Sequence, residues 1–138
     1  MRSARIVLLC LWLVGCAVAT ADEPDGPSWK SLMSELEEDC EHLEQWLLKQ
    51  PDGDLQRVAD TAEQAAAKVR LGYGVHEDHA VDGFATMARN CESWLLQVAL
   101  EARGGHADLA ADVFRGGLKA HCNDCHAAHE RAHERDGR

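Results

Sequence analysis

Apolar residues recur at intervals of three and four along four stretches of this chain. Strict alternation is absent, so the pattern predicts helices and no strands. The first predicted helix runs from about Ser28 to Gln50. Trp29, Leu32, Met33, Leu36, Cys40, Leu43 and Leu47 form one apolar stripe, and Glu35, Glu37, Glu38, Glu41 and Glu44 cover the other face. Ser28 suits the N-cap position, and Pro51 stops the helix. In the second helix Asp54 is the expected cap and Leu55, Val58, Ala59, Ala62, Ala66 and Val69 point inward. Gly72 is expected to end it at about Leu71. The third runs from about Val81 to Arg103, with Val81, Phe84, Ala88, Cys91, Leu95, Val98 and Ala102 as its stripe. Gly104-Gly105 breaks the chain. The fourth begins near His106 and continues through Leu109, Val113 and Leu118 to about Arg135. Gly116-Gly117 inside it costs about 1 kcal/mol per glycine in helix propensity. Close approach of a flat group or of a neighbouring helix would explain that cost; a local kink is the alternative.

Four helices with short connections predict an all-α, up-down-up-down four-helix bundle over residues 28–138. The connection from Gly72 to Asp82 carries His76 and His79, which read as solvated loop residues with metal binding as the alternative. Residues 1–21 read as an export signal: Met1 to Arg5 is basic, and the apolar run Ile6 to Gly15 is too short to span a bilayer. Two processing sites compete. Ala19-Thr20-Ala21 is a small-x-small site before Asp22, and Leu13-Val14-Gly15-Cys16 resembles the bacterial lipobox, in which the cysteine carries a lipid anchor. Both predict a periplasmic or extracytoplasmic protein, tethered in the second case. Residues 22–27 are polar and rich in Pro and Gly, as a linker is.

Composition narrows the partners. The chain of 138 residues has 14 basic and 24 acidic side chains, net −10. Removing the leader takes away Arg2 and Arg5 and no acidic residue, which leaves 12 against 24, net −12. Such a balance argues against nucleic acid or an anionic membrane surface and is compatible with a basic redox partner. Aromatic residues make up only 5%. The core is therefore Leu, Val and Ala, and a large apolar ligand would supply missing volume.

The chemistry concentrates in His121-Cys122-Asn123-Asp124-Cys125-His126. Cys-x-x-Cys-His is the attachment signature of c-type haem. On a helix two thiols three apart share a face and can reach two vinyl groups on one edge of a porphyrin. His126 can then turn its imidazole onto the iron as proximal ligand. A zinc site competes, because Cys122 and Cys125 with His129 and His133 offer a tetrahedral S/N set. A redox pair or plain disulfide also competes, although the βαβ pattern expected around it is absent. The export signal favours haem, since haem is attached to this motif outside the cytoplasm.

A motif at the end of the fourth helix, in an exported single-haem chain of this size, resembles the class II c-type cytochromes, the cytochrome c-prime family. The resemblance covers the layout of the mature chain and rests in sequence on Cys122, Cys125 and His126. It implies one covalent haem c and a homodimer formed through the first two helices. It also implies a choice. Members with a Met at the matching place are six-coordinate electron carriers, and members without a ligand there bind nitric oxide or carbon monoxide.

In an antiparallel bundle Met33, near the start of helix one, falls at the same end as His126. It is the candidate sixth ligand, with a core Met packed on the haem face as the alternative. Met87 is at the correct end but farther round the bundle, and His42 lies too far along helix one. His121, His129 and His133 read as solvated residues around the motif. Trp29, Trp46 and Trp94 read as packing. Cys40 and Cys91 are level on helices one and three and form either a disulfide or two buried free thiols. Three functions follow: an exported electron carrier, a gas-binding protein on the same scaffold, and a zinc-stabilised helical module without a redox role. No nucleophile–base pair or phosphate loop points to an enzyme.

Overall fold

The computed structural model describes residues 27–49, 53–75 and 83–128, and among these every regular element is helical. The leader, Cys16, residues 22–26, His76, His79, Val81, His129 and His133 lie outside the described residues. Helix α1 (Trp29–Glu44) runs directly into a π-helical turn, Gln45–Lys49. Helix α2 is Leu55–Val75, α3 is Phe84–Arg103 and α4 is Ala107–Gly117. A second π-helical stretch, Leu118–Asn123, follows α4, and α-helix resumes over 124–128.

The caps act as the sequence indicates. The Ser28 hydroxyl accepts from the Ser31 N–H at 3.2 Å, and Asp54 Oδ1 accepts from the Arg57 N–H at 3.0 Å. Gly105 takes φ 79°, a left-handed value that glycine adopts without strain, and turns the chain between α3 and α4.

Two expected boundaries move. Helix α2 continues past Gly72 to Val75. Gly72 is there for contact: a Cβ on it would stand 2.8 Å from the Trp29 ring. Helix α3 begins at Phe84, after Gly83 with φ 80°.

Each helix packs on its neighbour in sequence, and the ends that meet show that consecutive helices alternate in direction. Trp29 at the start of α1 touches Gly72 near the end of α2, and lies edge-on to Phe84 at the start of α3, centroids 5.4 Å apart. At the other end the π-helical turn after α1 meets α4. The core is aliphatic as expected, with Leu43, Val58, Leu95 and Val98 fully buried. Ala59, Ala62, Ala65 and Ala66 line α2, and such small side chains let helix axes come close. The buried Asp39 carboxylate of α1 receives a 2.6 Å hydrogen bond from Lys68 of α2, which satisfies a charge that would otherwise be costly to bury.

Helix α4 corrects its expected stripe. Leu109 is exposed, and Ala110, Phe114 and Gly117 face inward. Phe114 is fully buried and stacks on Trp94 of α3 at 5.4 Å. Trp94 also donates its indole N–H to the Val113 carbonyl at 2.9 Å. A Cβ on Gly117 would lie 2.1 Å from the Trp94 Nε1 atom. Gly117 is therefore explained by a neighbouring helix, whereas Gly116 has nothing within 4 Å of its Cβ position.

The two glycines should respond oppositely to alanine. Gly117→Ala drives a methyl into the Trp94 ring and should destabilise the fold by about 2 kcal/mol. Gly116→Ala meets open space and should stabilise it by up to about 1 kcal/mol. Urea denaturation of both variants separates the two effects, and equal shifts would contradict the Trp94 contact.

Candidate functional site

Helices α1 and α4 approach each other through the Gln45–Lys49 turn and part toward the opposite end. The opening between them holds a cavity of about 420 Å³. One wall is the stripe of α1, with Trp29, Met33, Leu36 and Cys40. Val69 of α2 and Phe84 and Cys91 of α3 form the floor and end, and Leu118, His121, Cys122, Cys125 and His126 form the facing wall. Glu37, Glu41 and Glu44 of α1 add carboxylates to the lining.

Four side chains singled out from the sequence therefore meet: Cys122, Cys125, His126 and Met33 line the same cavity. His126 is exposed, and the two cysteines are half-buried. Trp29 and His121 join them in the lining. Met87 and His42 do not; His42 stacks on Trp46 instead, with centroids 5.3 Å apart.

The local backbone sets how the motif is presented. Through Leu118–Asn123 the hydrogen bonds step five residues rather than four, so the helix carries about one extra residue per turn, a feature frequent at functional sites. His121 is held against Trp94, ring centroids 5.4 Å apart. Trp94 thus connects α3 with α4 and with the residue that opens the motif.

Sequence reading missed how the thiols meet. Cys40, Cys91, Cys122 and Cys125 are all free. Cys40 and Cys91 are buried, and they line the same cavity as Cys122 and Cys125. Cys122, rather than either of the pair, is the shared neighbour. Interaction with the Cys40 and Cys91 thiols holds the Cys122 thiol well below its ordinary range, the nearby His126 and His121 add to the effect, and burial opposes it. Cys40 and Cys91 are pushed up, first by interaction with Cys122 and then by burial. Burial, then the Cys122 charge, raises Cys125. A signal for this cluster exists in the sequence: Cys40 shares a helical face with Met33, and Cys91 sits mid-stripe on the third helix.

Among the described residues no group of three or more His, Cys, Asp or Glu side chains is arranged to hold a metal ion, and His129 and His133 of the candidate zinc set lie outside them. No described helix is long and apolar enough to cross a membrane. No family model, curated protein or solved structure matches the chain.

The thiol environments predict an order of reaction. With its pKa lowered, Cys122 is thiolate at a pH where the other three thiols are protonated. In the reduced, haem-free chain iodoacetamide at about pH 6.5, two units below an ordinary thiol, should label Cys122 first. Peptide mass analysis reads the order, and labelling that begins at Cys125 would contradict the lowered Cys122 and raised Cys125 pKa values.

Proposed function

We propose that the chain is an exported monohaem c-type protein that carries electrons. The supporting observation is the convergence of Cys122, Cys125, His126 and Met33 on one cavity. The residues present fit the group. The cavity volume lies within the range of about 300–1,000 Å³ typical of ligand sites. Its aliphatic and aromatic lining, from Trp29, Leu36, Val69, Phe84 and Leu118, suits a porphyrin face. Cys122 and Cys125 would hold the haem through thioethers, His126 would be the proximal ligand and Met33 the distal one. When bound, haem supplies one-electron redox chemistry at a potential set by axial ligand, burial and hydrogen bonding. The chain's own part is to fix the group, to exclude water with Trp29 and Phe84, and to present an acidic flank. Glu37, Glu41 and Glu44, with a net charge of −12 after leader removal, fit a basic redox partner. The reading includes export through residues 1–21, with Cys16 as lipid anchor in the tethered form. It has no catalytic step.

One observation favours the gas-binding reading on the same scaffold. The Met33 methyl group lies 3.4 Å from the Cβ position of Gly72, packed toward α2. In that position Met33 lines the cavity with its terminal methyl group against α2, as a side chain packed on the haem face would.

Absorption spectra of the exported protein, oxidised and dithionite-reduced, with and without carbon monoxide, separate the readings. Electron transfer with Met33 bound gives a low-spin spectrum that carbon monoxide leaves unchanged, and Met33→Ala then opens the iron to the gas. A high-spin spectrum that shifts with carbon monoxide selects gas binding. Absence of haem bands after expression with haem-attachment machinery would sink both and leave the zinc-stabilised module.

A further inference from the structure

We propose that in the haem-free chain Cys122 is a site of disulfide formation with Cys91. The bridge stands independently of haem; its consequence for attachment rests on the haem reading above.

The geometry selects the partner. All four cysteines line one cavity, but Cys122 packs against the buried core cluster that contains Cys91 and contains neither Cys40 nor Cys125. A disulfide needs Cα atoms within about 7 Å. The Leu118–Asn123 stretch that carries Cys122 packs on α3, the helix of Cys91. Cys40 stands on α1, which diverges from α4 here to form the opposite wall of the cavity. An exported chain meets an oxidising compartment, where adjacent thiols are converted to disulfides.

The reaction takes a disulfide RS–SR, small or protein-borne, as oxidant. The Cys122 sulfur attacks one sulfur of RS–SR, forms a mixed disulfide and releases the first RSH. The Cys91 sulfur then attacks the Cys122 sulfur, forms the Cys91–Cys122 bond and releases the second RSH. Two electrons pass to the oxidant, and the two thiol protons end on the two RSH molecules. While bridged, Cys122 cannot add to a vinyl group. Haem attachment then requires a dithiol reductant, a demand created by Cys91 of this chain in addition to any made by the motif.

The test uses the haem-free mature chain, incubated with glutathione disulfide and then blocked with N-ethylmaleimide. An Asp-specific protease cuts between Asn123 and Asp124, so the two motif cysteines fall on separate peptides, which are mapped unreduced by mass. The expected product is the Cys91 peptide joined to the Cys122 peptide, with Cys40 and Cys125 blocked, and its loss in Cys91→Ser. A Cys122–Cys125, Cys40–Cys122 or Cys40–Cys91 bridge as the main product overturns the proposal, as does blocking of all four thiols. If the bridge forms but the exported protein never acquires haem, the bridge stands and the haem reading alone fails.

Discussion

Trp94 is the contact on which the site depends. Its ring stacks on Phe114, its N–H bonds the Val113 carbonyl, its edge occupies the place a side chain on Gly117 would fill, and its far side meets His121. One residue of α3 thereby fixes successive turns of the fourth helix and delivers the start of the motif. A large aromatic pressed on a glycine permits only one separation of two helices. Here that separation positions the second wall of the cavity against α3.

The first wall has a different origin. Helix α1 is held to α2 by the Asp39–Lys68 pair, and its far end meets α4. At the motif end Trp29 of α1 packs edge-on against Phe84 of α3. The cavity is the gap left when both helices satisfy their inner partners. Its chemistry follows from this arrangement: an apolar stripe containing Met33 and Cys40 faces a ligand-rich turn containing Cys122, Cys125 and His126.

Much of this was legible in the sequence, for identifiable reasons. The stripes of α1, α2 and α3 obey helical periodicity because each faces a continuous core, and Ser28 and Asp54 cap where side-chain oxygens can reach free N–H groups. The meeting of Met33 with the motif follows from alternating direction alone. Misreadings occurred where a small residue mattered through what it touches. Gly72 resembles a helix stop but accommodates Trp29. Leu109 is the more apolar-looking choice, yet Ala110 is the one buried, because the stripe of α4 is set by Phe114 and Gly117 against Trp94. The π-helical turns answer to tertiary packing, so local propensity does not announce them. Cys40 and Cys91 were each placed inside correctly, but their common neighbour is a third thiol brought over by the fourth helix.

The order of packing along the chain bears on how the molecule assembles. Among the described residues the largest helix contacts join sequence neighbours, and the turn after α1 meets α4 at the end away from the cavity. Contacts that close short loops form quickly, and a bundle of successive hairpins does not wait for its ends to find each other. The three inner interfaces can therefore zip together from local encounters while the cavity end stays open. A rigid, bulky group joined to the chain near its C-terminus can enter such an opening last, without requiring the folded hairpins to come apart.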